Sequence, residues 1–107
     1  MADMNELAKQ CKETRSLKGF YTPPDLENIQ RRNLMLGKMM LVVTEAAEAA
    51  EAVRNGDTEN FEEELADIII RVFDIAASTG IDIEKTVIRK MAFNASRSAL
   101  HGKKTTL

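Results

Sequence analysis

Apolar residues recur along this chain at intervals of three and four, the spacing that keeps one face of an α-helix together. Nowhere do they alternate as the residues of a half-buried strand do. Leu7 and Cys11 form a sparse stripe that predicts a first helix from Asn5 to Leu17. The run Gly19-Phe20-Tyr21-Thr22-Pro23-Pro24 breaks it, because the prolines exclude helical geometry on their N-terminal side. With Asp25 as N-cap, a second helix is expected to run to Val53 or Arg54 and stop at Asn55-Gly56. Asp57 or Thr58 opens a third, with acidic residues in its first turn, which continues through Ala77 and stops at Ser78-Thr79-Gly80. Asp82 caps a fourth, whose Ile83, Val87, Met91 and Ala95 recur on successive turns; it fades near His101-Gly102 and leaves the tail KKTTL frayed. The fold class is all-α, a bundle of about four helices.

The second helix carries apolar residues on two sides. Leu34, Leu41, Val42, Ala49 and Ala52 lie on one side, and Leu36, Met40, Val43, Ala47 and Ala50 on the other. A helix that is apolar nearly all round must be covered all round, which a chain of 107 residues achieves most easily by packing against a second copy. Ala46, Ala47, Ala49 and Ala50 would let helices approach closely. The expected assembly is a homodimer or a dimer of dimers held by a helix bundle.

Composition narrows the classes. With two prolines and five glycines among 107 residues, the chain favours helix, and its length fits one domain over residues 1–107. The balance of 17 acidic against 15 basic residues gives a net charge of -2 and argues against nucleic acid as a partner. Cys11 is the single cysteine, so an internal disulfide is excluded and a reduced thiol with no special role is expected. No run is long enough to span a bilayer, and MADMNELAKQ has no apolar leader core, so a cytoplasmic, membrane-free protein is expected.

Two carboxylate pairs change the picture. Glu45/Glu48 and Glu64/Asp67 each have i, i+3 spacing, so each pair shares a face of its helix. Acidic pairs are common on solvated faces. These two, however, sit among Leu41, Val42, Ala49 and Ala52 on one helix and Phe61, Ile68 and Ile75 on the other, on stripes that should face inward. Carboxylates there are costly unless paired or metal-bound. Glu51, Glu59, Glu62 and Glu63 fall off these faces and should be solvated. Oxygen-only ligands suit Mg²⁺, with Mn²⁺ as a substitute, and magnesium sites commonly share phosphate oxygens and polarise a water nucleophile.

The last helix offers the complement to such metals. Lys90, Asn94, Arg97 and His101, spaced four, three and four apart, form one cationic and hydrogen-bonding stripe. Lys90 and Arg97 suit phosphate oxygens, and Asn94 a ribose or phosphate; the plainer reading is a basic stripe favoured by the helix C-terminus, with His101 incidental. Arg71, four residues after Asp67, fits a salt bridge within its helix or a substrate contact, and Lys38, one heptad before Glu45, has the same two readings. Phe20 and Tyr21 suit core packing or stacking on a base. There is no Gly-rich phosphate loop and no Cys/His cluster.

Taken together, Glu45-Ala46-Ala47-Glu48, the spacer 49–63, Glu64-Leu65-Ala66-Asp67 and Lys90-Met91-Ala92-Phe93-Asn94-Ala95-Ser96-Arg97 resemble the MazG-like all-α nucleotide pyrophosphohydrolases and their dCTP and dUTP pyrophosphatase relatives, over about residues 34–103. The resemblance implies cleavage of a (deoxy)nucleoside triphosphate into monophosphate and pyrophosphate, a pool-cleaning activity. It implies Mg²⁺ on Glu45, Glu48, Glu64 and Asp67, and substrate on Lys90, Asn94 and Arg97. Some relatives stack the base on tryptophan, which this chain lacks, leaving Phe20, Tyr21, Ile29, Lys38 and Arg71 as pocket candidates. The alternatives are a non-catalytic helical interaction module and a nucleotide sensor that binds without turnover.

Overall fold

A computed structural model describes residues 3–20 and 22–97. These form four α-helices, with no strand among them: α1 (Met4–Arg15), α2 (Asn28–Arg54), α3 (Thr58–Ser78) and α4 (Ile83–Ser96). The expected tail and Tyr21 lie outside the described residues, as do His101 and the Phe20 side chain.

Local chemistry fixes the helix ends. The Asp3 carboxylate accepts the Glu6 N–H at 2.8 Å and starts α1. The helix stops two residues before Leu17 and widens into a π-type turn over Ser16–Phe20, where Gly19 takes φ +93°, a conformation other residues resist. α2 starts later than Asp25 predicts, because Pro24 and Asp25 form a turn and Glu27 takes the cap. The Glu27 N–H donates to Gln30 Oε1 at 3.0 Å, and Arg31 reaches back to the carbonyls of Pro24 and Leu26, each at 3.3 Å, holding that turn out of the helix. Asp57 and Asp82 cap α3 and α4 as predicted, accepting from Asn60 N–H at 3.1 Å and Lys85 N–H at 3.0 Å.

α2 and α3 close in the same way. Asp57 N–H bonds the Ala52 carbonyl and Ile81 N–H the Ala76 carbonyl, both at 2.9 Å, with Gly56 at φ +67° and Gly80 at φ +73°. This closure satisfies the last carbonyls and reverses the chain within a few residues. α2 and α3 therefore lie side by side; α1 packs on α3, and α4 has α1 as its one substantial neighbour.

Among the described residues the buried apolar ones are all alanines: Ala8, Ala49, Ala52 and Ala76. Small side chains let the helices approach, but they remove little surface from water. The inner side of α2 (Leu34, Leu41, Val42, Ala49, Ala52) turns toward the body, whereas Leu36, Met40 and Val43 on its outer side are each more than half exposed. Ile88 and Met91 on α4 are equally open. The radius of gyration, 16.7 Å, exceeds the roughly 13 Å of a compact domain near this length. A single copy thus covers one side of α2, not both.

Candidate functional site

The α2–α3 interface is lined by charge on successive turns. At one end, oxygens of Glu45 and Glu48 on α2 and Glu64 on α3 all lie within 4.8 Å of one another. Next, Arg71 of α3 donates to Glu45 at 2.7 Å. Beyond that, Lys38 Nζ donates to Asp74 at 2.8 Å. Residue numbers fall along α2 as they rise along α3, so the two helices are antiparallel and the short turn at Asn55–Asp57 is what brings the acidic segments together.

Three carboxylates this close strain one another's ionisation. The Glu45 carboxyl beside it, burial and the nearby Glu48 push Glu64 up to about 7. Burial also works to raise Glu45, which is buried. That is outweighed by hydrogen bonding to Glu64 and by the Arg71 guanidinium, so its carboxyl is held below the ordinary range. Glu64 is only half-buried, yet its Oε2 is shielded from solvent and has no protein partner. An acidic cluster with an unsatisfied inward oxygen and no sulfur or imidazole donor fits a hard divalent cation of the Mg²⁺ or Mn²⁺ type.

Asp67, the fourth predicted ligand, follows Glu64 by one turn on α3 but is exposed and lies outside the group of three. Arg71 does not pair with Asp67 along its own helix: it crosses to Glu45, a buried carboxylate for which an ion pair is worth more than an exposed one. Arg71 Nη1 is buried with no partner. Lys38 is 5% exposed and its ammonium is turned to Asp74, across the helix interface. The predicted solvent positions of Glu51, Glu59, Glu62 and Glu63 are all exposed.

Asp74 was not singled out by sequence. It is the largest fully buried side chain among the described residues, and it also accepts from Arg15 Nε and Ser78 Oγ, each at 3.3 Å. The signal was available: Glu64, Asp67, Arg71 and Asp74 continue one another's spacing of three, four and three. Burial and the neighbouring Asp74 carboxylate raise the Cys11 thiol, consistent with the unreactive cysteine expected.

On α4, Lys90 and Asn94 are exposed, and the helix ends at Ser96. Arg97 N–H bonds the Asn94 carbonyl at 3.2 Å and Ser96 Oγ the Phe93 carbonyl at 2.7 Å; these short-range bonds close the helix and leave Arg97 extended. Its guanidinium and the Lys90 ammonium lie 5.0 and 4.9 Å from the Phe93 ring centre. Phe93, which sequence reading passed over, thus gathers both cations beside a hollow of about 270 Å³ lined also by Thr86 and Arg89. Because α4 leans on α1, this basic stripe is not packed onto the acidic cluster of its own chain.

No helix among the described residues is long and apolar enough to cross a membrane. No curated protein and no solved structure matches the chain. The model of the MazG nucleotide pyrophosphohydrolase domain does match, over residues 36–97, which include all three clustered glutamates, Arg71, Asp74 and the Lys90–Arg97 stripe, so the chain belongs to that family.

Proposed function

We propose that the protein hydrolyses a (deoxy)nucleoside triphosphate between its α and β phosphates, releasing the nucleoside monophosphate and pyrophosphate. The observation that carries this reading is the convergence of Glu45, Glu48 and Glu64 within 4.8 Å, in a chain of the MazG nucleotide pyrophosphohydrolase family. Glu45, Glu48 and Glu64, with Asp67 one turn away, would hold Mg²⁺ or Mn²⁺, which supplies charge neutralisation of the triphosphate and acidification of a water.

The chain's own groups do the rest. Arg71 keeps Glu45 ionised and aimed at the cluster, and its unpaired Nη1 is a donor for a phosphate oxygen. Lys90, Asn94 and Arg97 bind the substrate and offset the negative charge that develops on the departing pyrophosphate. The two halves of the site meet on assembly. Two copies pack through the open Leu36, Met40 and Val43 side of α2, and the α4 of one copy closes over the carboxylates of the other. The reading takes residues 1–107 as one domain.

Incubation with eight common ribo- and deoxyribonucleoside triphosphates and Mg²⁺, scored for pyrophosphate against orthophosphate, tests the activity. Pyrophosphate from at least one nucleotide is expected; none from any of them overturns the proposal. Binding without turnover would make the protein a sensor, and neither binding nor turnover an interaction module.

A further inference from the structure

α4 carries the cationic residues of the proposed site, yet it has little to hold it in place. Its one substantial neighbour is α1, and Ile88 and Met91 are open on its surface. Besides the part-buried Ile83 and Val87, its ties are polar. Asn5, in the first turn of α1, donates through Nδ2 to Asp82 Oδ1 at 2.8 Å and accepts the Glu84 N–H on Oδ1 at 3.2 Å. The same Asp82 oxygen accepts the Lys85 N–H at 3.0 Å and caps α4. One amide therefore satisfies both the cap of α4 and a backbone donor that its first turn leaves without a helical partner. The amide of asparagine, with a donor and an acceptor side by side, is the group that can do both.

The other end of α1 is fixed differently. Arg15, its last residue, donates to the buried Asp74, which also holds Lys38 of α2. α1 is thus anchored at its C-terminal end to the charged interface one turn beyond Arg71, and at its N-terminal end to the start of α4. At twelve residues it spans about 18 Å, so α4 stands at the end of a lever whose base is the buried Asp74 of the charged α2–α3 interface.

We infer that α1 is a brace for the substrate-gripping helix, and that Asn5 is a positioning residue that sets where Lys90, Asn94 and Arg97 stand. Asn5 touches neither metal nor substrate; it acts through the N-terminus of α4. It lies outside residues 36–97, so nothing in the family match assigns it a role. The inference rests on the proposed reading of α4 as the phosphate-binding helix.

A reciprocal exchange tests it. Asn5→Asp places a second carboxylate against Asp82 and loses the donor. Asp82→Asn alone keeps a capping side chain. The double variant restores a complementary pair, with the new carboxylate at position 5 accepting from both the new amide at 82 and the Glu84 N–H. Amide hydrogen exchange over residues 83–96 should speed up in Asn5→Asp while α2 and α3 keep wild-type protection, and the double variant should recover. For whichever nucleotide the wild type cleaves, KM should rise about tenfold in Asn5→Asp with kcat within twofold, again recovering in the double variant. Unchanged exchange over α4 overturns the clasp, and faster exchange with unchanged KM overturns its role in positioning. If the wild type cleaves nothing, the proposed activity fails on its own, and the Kd of an α,β-imido deoxynucleotide with Mg²⁺ replaces KM. A Kd equal in wild type and Asn5→Asp, or no binding to either, overturns the inference.

Discussion

Arg71 on α3 brings two guanidinium nitrogens, Nε and Nη2, each to 2.7 Å from the same oxygen of Glu45 on α2. With the arginine side chain 20% exposed and the carboxylate 8% exposed, this pair bears on both the stability of the helix pair and the charge of the glutamate cluster. Arg71→Ala leaves Glu45 buried without its counter-charge. It should cost about 2 kcal/mol in urea unfolding without divalent ions, and Mg²⁺ should restore part of that by neutralising the same oxygen. A loss that Mg²⁺ leaves untouched would separate Arg71 from the metal site.

The raised Glu64 carboxyl gives a pH prediction with a definite sign. In the folded, metal-free protein it titrates at about 7, against 4.5 ordinarily. Between those values the folded state holds a proton that the unfolded state has released, so this group's contribution to stability is full below about 4.5 and is lost as pH rises through about 7. The urea midpoint of the metal-free protein should fall across that window, and Glu64→Gln should flatten the fall. Divalent ions must displace the same proton, so calorimetry in buffers of different ionisation enthalpy should find more protons released per Mg²⁺ at pH 6 than at pH 8.

Glu48 is the exposed member of the cluster, so its charge can be removed with little effect on folding. Glu48→Gln should lower turnover by about a hundredfold or more and weaken Mg²⁺ binding while the unfolding midpoint stays near wild type. Asp67→Asn asks a separate question. Equal loss places Asp67 on the ion when it binds, and unchanged turnover removes it from the site.

Asp74 predicts a stability effect without a direct catalytic one. Asp74→Ala removes the buried carboxylate that both Lys38 and Arg15 face, and should destabilise by about 3 kcal/mol. Pairing Asp74→Leu with Lys38→Met should recover much of that loss, since a matched apolar pair removes both buried charges together. Thermal unfolding of the single and double variants decides it.

The open side of α2 predicts the assembly. Val43→Glu puts charge at one end of the Leu36–Met40–Val43 stripe and should convert the sedimenting species to monomer, with activity lost in parallel. A mixture of inactive Glu48→Gln and inactive Arg97→Ala chains should regain part of the activity, because one of the two mixed sites then carries both intact halves.

Most of this fold was legible because its signals are local. Asp57 and Asp82 cap helices where they were read to, and Gly56 and Gly80 end them, since a cap needs only residues within a turn of it. The start of α2 was misplaced because Asp25 looked like a cap, while the Glu27–Gln30 pairing that displaces it needed the box to be weighed against a single acidic residue. Of the site, Glu45, Glu48 and Glu64 followed from spacing. The partners of Arg71 and Lys38 did not, because both lie across a helix interface, at separations of 26 and 36 residues, where helical periodicity says nothing. Phe93 was passed over for a related reason. Its hold on Lys90 and Arg97 depends on α4 ending at Ser96, a boundary that no proline or glycine marks.

The charged ladder between α2 and α3 has a further consequence. The apolar residues buried on these two helices are alanines, and small side chains of one size fit together at several offsets along a helix pair. The ladder removes that freedom. Sliding α3 by one turn, about 5.4 Å, would pull Arg71 off Glu45 and Asp74 off Lys38, breaking two buried charge-assisted hydrogen bonds at once. Register is therefore chosen by ion pairs, and the register that satisfies them is the one that converges the three glutamates. A chain with the ladder neutralised would keep its helices and lose the single alignment that brings the three glutamates together.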